Sequence, residues 1–203
     1  MRITLIDAGK RFNRDWIFRH LSYEFIQGHS YAITGPNGSG KSTLLQAIGG
    51  AIGMSEGRVQ FTDPDIPAEQ VYRGLSLAAP YLELVEEMTV LEFLRFHRKF
   101  KPLIASCNLE TIIARVGLES AAHKQIRYYS SGMKQRVKLA QAIFSDAPVL
   151  LLDEPCTNLD SEGITLYRQL IAEYAANRLV IVSSNDLQEY DFCEKSLSIL
   201  DYK

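Results

Sequence analysis

Gly35-Pro36-Asn37-Gly38-Ser39-Gly40-Lys41-Ser42-Thr43 stands between a short apolar run, Ser30 to Thr34, and a segment of helical spacing, Ser42 to Gly49. The nonapeptide fits GxxxxGK[ST] in the setting that this pattern requires, with a strand before it and a helix after it. Glycines let a backbone wrap until successive N–H groups converge, and the following helix contributes its positive end. The loop is therefore built to hold phosphate oxygens. In that role Lys41 bridges the β- and γ-phosphates of ATP, and the Ser42 hydroxyl ligates Mg²⁺.

Further short runs rich in branched residues read as strands at Arg2 to Ile6, Val149 to Leu152, Leu179 to Ser183 and Ser196 to Leu200. Val149 to Leu152 is apolar without alternation, as in a strand covered on both faces. Ile164, Tyr167, Leu170, Ile171 and Tyr174 mark one face of a helix between two of these runs. Strands separated by helices give an α/β fold with a mainly parallel sheet. The stretch from Leu75 to Phe144 is mostly helical in pattern and reads as an inserted helical subdomain. One domain over 1–203 then has its core in about 1–74 and 145–203, with the helical part in about 75–144. Thr89-Val90-Leu91-Glu92 is a capping box, Pro102 should end the helix it starts, and Asn108 caps the next.

Composition narrows the function. With 46% hydrophobic residues in 203 the chain can bury a full core. A net charge of −2, with Lys and Arg scattered, lacks the footprint of a nucleic-acid binder. Cys107, Cys156 and Cys193 are widely spaced without a CxxC pair, which argues against a disulfide framework or zinc site and for reduced thiols. No apolar stretch reaches the roughly 18 residues that cross a bilayer, so membrane association would require a partner.

Val149-Leu150-Leu151-Leu152-Asp153-Glu154 ends in two carboxylates at the carboxyl end of a strand, where ligands of open α/β sheets bind. Asp153 would hold Mg²⁺, and Glu154 could deprotonate an attacking water. Tyr129-Ser130-Ser131-Gly132-Met133-Lys134-Gln135-Arg136 opens a helix with Lys134 and Arg136 in its first turns, where the helix dipole disfavours cations and a bound anion would offset the cost.

At this segment the chain resembles the ATPase domains of ABC transporters, whose LSGGQ signature is approximated by Tyr129 to Met133. The resemblance covers nearly the whole chain and lies in the order of its motifs. It implies a P-loop NTPase core with added antiparallel β elements, and ATP sandwiched between the P-loop of one subunit and Ser130, Ser131, Gly132 and Met133 of another. It implies Phe12 as the aromatic that stacks on adenine, although an aromatic there could equally be core. Glu154-Pro155-Cys156-Thr157-Asn158-Leu159-Asp160 resembles Walker B running into the D-loop, with Asp160 as its aspartate. A second ABC ATPase subunit and a membrane-spanning subunit follow as partners. So does a cytoplasmic place on the inner face of the membrane, held there through that second partner. Small exporter-type subunits, including those of the haem-exporter group, are similar in compactness.

Two positions depart from the family. Asn185 stands where the switch histidine is expected, able to donate a hydrogen bond but not to titrate, and it could equally be a helix N-cap with Gln188 three residues on. The Q-loop glutamine falls at about Ala79 or Pro80, neither able to bind metal. The face from Ala79 to Phe100, with Tyr81, Leu82, Leu84, Glu86 and Glu87, is where the resemblance puts the membrane subunit, although its apolar residues could equally be subdomain core. The alternatives are a soluble ABC ATPase of translation or DNA repair, and a small-molecule kinase. The first commonly carries tandem domains or coiled-coil insertions, and the second would leave the signature unexplained.

Overall fold

In a computed structural model that describes residues 1–64 and 67–203, two sheets of different character share one chain. β1 (Arg2–Phe12), β2 (Asp15–Ile26) and β4 (Glu56–Thr62) form a three-stranded sheet in the order β2-β1-β4, with both pairings antiparallel. The second sheet has the order β5-β6-β7-β3-β8 and is parallel throughout. It comprises β3 (Ser30–Thr34), β5 (Leu75–Ala78), β6 (Val149–Asp153), β7 (Leu179–Ser183) and β8 (Lys195–Ser198). Helices α1 (Lys41–Ile48), α2 (Val90–His97), α3 (Leu109–Arg115), α4 (Ser131–Ile143), α5 (Ser161–Tyr174) and α6 (Leu187–Tyr190) complete the chain with four short 3₁₀ turns among the described residues.

Unbroken apolar strands explain why the parallel sheet is covered on both faces. Successive side chains alternate in direction, so Leu150, Leu152, Val180 and Val182 join one buried cluster with residues of α2 to α5. Val149, Leu151, Leu179 and Ile181 join a second, with α1 and the inner side of the antiparallel sheet. Each such side chain, buried to within a few per cent, contributes about 1.5–3 kcal/mol.

Three expectations about elements need correction. Leu75–Ala78 is a strand paired with β6, so the segment expected to be helical opens inside the sheet. Four residues are too few for periodicity to mark them. The first strand runs to Phe12, well past Ile6, because a positive φ at Asp7 and register shifts after Leu5 interrupt the alternation without ending the pairing. The last strand stops at Ser198, and Ile199–Tyr202 turns as a 3₁₀ helix. The caps at Thr89 and Asn108 form as the sequence predicts. Thr89 and Glu92 exchange side-chain and backbone bonds, and Asn108 Oδ1 accepts from Thr111 N at 2.7 Å. α2 nevertheless ends at His97, before Pro102 could stop it.

Candidate active site

The strand order gathers the site. β7 lies between β6 and β3, and Asp153 is in register with Ser183, so the ends of these strands and the loop after β3 share one carboxyl edge. Gly35, Gly38 and Gly40 have φ of 145°, 76° and 103°. Gly40 is the tightest of the three: a Cβ there would stand 2.2 Å from Ile17 Cγ2. α1 starts without a side-chain cap and without an acidic residue in its first turn, which leaves its N-terminal N–H groups open to an anion. Lys41 is 4% exposed and donates from Nζ to Pro36 O at 3.3 Å, so its ammonium lies across the loop. Asn37, Gly38, Gly40, Lys41, Ser42 and Thr43 line a cleft of about 210 Å³ with Glu154 opposite. Ile17 from β2 completes it.

Asp153 is 1% exposed, and its Oδ1 has no hydrogen-bond partner; nor have the buried hydroxyls of Ser39 and Ser183. Burial raises the Asp153 carboxyl above its ordinary range, opposed by the neighbouring hydroxyls of Ser183 and Ser42 and by the Lys41 charge. A buried, unsatisfied carboxylate oxygen beside a serine hydroxyl fits a hard divalent cation bound through oxygen. Glu154 follows with φ 42°, its N–H donating to Ser183 O at 2.9 Å.

Phe12 is 50% exposed at the end of β1, with Lys10 Nζ 5.1 Å from its ring centroid, so the core alternative falls and the ring is free to stack. Ser130 is the N-cap of α4, its hydroxyl accepting from Met133 N at 3.2 Å. Ser131, Gly132 and Met133 follow in the first turn, against the D-loop: a Cβ on Gly132 would stand 2.9 Å from Asn158 O. The signature residues do not line the cleft beside the P-loop. Asp160 caps α5, accepting from Gly163 N at 2.8 Å, and also faces Arg136 at 3.7 Å. Lys134 meets Glu86 at 2.6 Å. Both cations near the start of α4 thus have carboxylate partners within the chain and, contrary to the expectation from sequence, need no bound anion to offset the helix dipole.

Asn185 is exposed at the same edge, after Ser184, whose N–H donates to Ile33 O at 3.2 Å. It is not the N-cap of α6. Asp186 is, with Oδ1 accepting from Gln188 N at 3.0 Å. Ala79 is fully buried, and Pro80 O accepts from Lys138 Nζ at 2.6 Å, so neither offers a side chain to the site. The next residue, Tyr81, is 46% exposed; partial burial, and then the Asp153 carboxylate, push its phenol up to about 12 against an opposing contact with the Gln46 side chain. Sequence reasoning missed Tyr81 and Ile17 near the site: Ile17 meets the phosphate loop only in the folded chain, and Tyr81 follows a strand too short for its pattern to mark.

The family model for ABC transporters matches residues 18–157. An uncharacterized ABC transporter ATP-binding protein of Bacillus subtilis, YybJ, is 30% identical over 97% of this chain and 92% of its own length. The cytochrome c biogenesis ATP-binding export protein CcmA of Agrobacterium fabrum is 31% identical over 91% of this chain and 88% of its own. Among solved structures, a putative ABC transporter ATP-binding protein from Pyrococcus furiosus superposes with TM-score 0.84 at 20% identity, covering all of both chains. The dimeric ABC transporter cassette MJ0796 gives 0.81 at 22%, covering 97% of this chain and 94% of its own. These relatives favour the transporter reading over a soluble ATPase of translation or repair. With a family match over more than half its length and ATP-binding subunits aligned along nearly all of it, the chain belongs to the ABC transporter family as one of its ATP-binding ATPase subunits.

Proposed function

We propose that the chain hydrolyses ATP at the edge formed by the loop after β3 and the ends of β6 and β7, as one of two ATPase subunits that drive a separate membrane-spanning subunit. One observation carries the reading: the uncapped start of α1, the buried Lys41 and the unsatisfied Asp153 Oδ1 meet at that edge. Backbone N–H groups of the loop from Asn37 to the start of α1, and the Lys41 ammonium, hold the phosphates. Phe12 stacks on the base. Ser42 and Asp153 would hold Mg²⁺, which would supply charge neutralisation to the phosphates. Glu154 takes the proton of the attacking water, and Asn185 donates one neutral hydrogen bond to the terminal phosphate.

The signature residues Ser130, Ser131, Gly132 and Met133, with Asp160, serve the P-loop of the partner ATPase subunit. That division of labour accounts for a signature that starts a helix away from its own chain's cleft. No helix among the described residues is long and apolar enough to cross a membrane, so attachment to its inner face runs through the membrane-spanning subunit. The docking face is 79–100, where Leu82, Leu84 and Glu86 line a groove with Lys134 and Lys138.

Glu154→Gln tests the whole scheme. MgATP binding should stay intact, turnover should fall by about 10²–10⁴-fold, and ATP should trap a dimer visible by size-exclusion chromatography. Wild-type turnover by this variant would remove Glu154 from the chemistry.

A further inference from the structure

Hydrolysis depends on where the Glu154 carboxylate stands, and its backbone occupies a left-handed conformation, φ 42°, that residues with a side chain adopt at a cost. Something must hold the turn. Gln135, 3% exposed on α4, donates from Nε2 to Pro155 O at 2.7 Å. Glu189, 4% exposed on α6, accepts at Oε1 from Cys156 N, also at 2.7 Å. The single peptide group that joins Pro155 to Cys156, just beyond Glu154, is thereby gripped at its oxygen and at its N–H by two different elements, the helix that begins with the signature and the helix that follows Asn185.

Glu189 is costly where it stands. Its Oε2 is shut off from solvent without a partner, and burial holds the carboxyl above its ordinary range, against the Ser184 hydroxyl and the Cys156 N–H. Tyr167, fully buried, donates to Glu189 O at 2.8 Å and fixes the backbone from which the side chain projects. An apolar residue would avoid the cost of the orphaned oxygen but would leave the Cys156 N–H buried and unpaired.

We propose that Gln135 and Glu189 are positioning residues for hydrolysis, which clamp Pro155 and Cys156 so that the signature helix and the segment bearing Asn185 together set the place of Glu154. The proposal rests on Glu154 being the base. Movement of either helix is then transmitted to the base through a single hydrogen bond, without contact between that helix and the nucleotide of its own chain.

The test measures kcat, MgATP affinity and melting temperature for Glu189→Ala, Glu189→Gln and Gln135→Leu, alone and in the Glu154→Gln background. Glu189→Ala and Gln135→Leu should lower kcat by about ten- to a hundredfold, as small misplacements of reacting groups do, with Kd for MgATP changed by less than about threefold. Glu189→Gln retains a carbonyl able to accept from the Cys156 N–H and should recover most of the rate. In the Glu154→Gln background none of the three should slow the residual reaction further, because the group they position is gone. A merely structural role predicts a lowered melting temperature with kcat kept, and that result overturns the proposal. So do rate losses that multiply in the Glu154→Gln background, or a Glu189→Gln variant as slow as Glu189→Ala. Glu154→Gln turning over at the wild-type rate would overturn the base assignment first and the positioning role with it. A slow Glu154→Gln beside a fast Glu189→Ala would overturn the positioning role alone.

Discussion

The phosphate loop and the turn after β6 face each other across one cleft but are built on opposite principles. The loop is local: nine consecutive residues, three glycines at positive φ and one helix start make the cradle. The turn at Glu154 is held from afar, through Gln135 twenty residues before Pro155 and Glu189 thirty-three after Cys156. A local device fails when its own backbone is disturbed. A remote one fails when any of several distant side chains is lost, and its loss reaches rate before affinity.

The first way to break this comparison is at Gly40, where φ is 103° and any Cβ meets Ile17 Cγ2 at 2.2 Å. Gly40→Ala should weaken MgATP binding by at least about a hundredfold, or 2.7 kcal/mol, in calorimetric titration. Adding Ile17→Ala relieves the contact and leaves the φ strain, so the double variant should recover only part of the affinity. Full recovery would mean that sterics alone shape the loop. Unchanged binding in the single variant would remove Gly40 from the cradle.

That division also explains what could be read from sequence. The loop, the capping box at Thr89, the Asn108 cap and the apolar strands are consequences of neighbours a few residues apart, and the sequence states them openly. Asp153 is legible too, because a strand buried on both faces has few reasons to end in a carboxylate. The roles of Gln135, Glu189 and Tyr81 depend on pairings that the chain makes only once β5, β6 and β7 are in register, and no spacing encodes them. Leu75–Ala78 was hidden for another reason: a four-residue strand carries less pattern than the helices around it. The cations of α4 misled because their partners, Glu86 and Asp160, lie 48 and 24 residues away.

Tyr81 sharpens the comparison on the side of the turn. It follows directly on Ala79 and Pro80, where the family's glutamine is expected, and its phenol senses Asp153. Removing the hydroxyl by Tyr81→Phe should reduce kcat by up to about tenfold, the worth of one hydrogen bond, with little change in ATP affinity. A phenol pushed up to about 12 stays neutral at any pH well below that, because burial disfavours the anion. The ratio of wild-type to variant rates should therefore be flat from about pH 6 to 10. A ratio that changes across that range would show the hydroxyl ionising, and an unchanged kcat would reduce Tyr81 to packing.

The smallest effects separate Asn185 from Asp186, adjacent residues with different work. Asp186 caps α6 through Gln188 N at 3.0 Å, and α6 carries Glu189. Asp186→Ala should lower stability by about 1 kcal/mol, the usual worth of an N-cap, and a melt will register it directly. Asn185 takes no part in that cap and is exposed, so Asn185→His should leave the melting temperature nearly unchanged. Its effect belongs to rate: a histidine can carry positive charge toward the phosphate as negative charge develops in the transition state, where an amide offers only a neutral hydrogen bond. Turnover of Asn185→His should rise several-fold below about pH 6.5, the ordinary pKa of histidine, and fall back toward the wild-type rate above it. A destabilised Asn185→His variant without faster turnover at any pH would return Asn185 to a local structural role and leave the terminal phosphate to Lys41 and the loop.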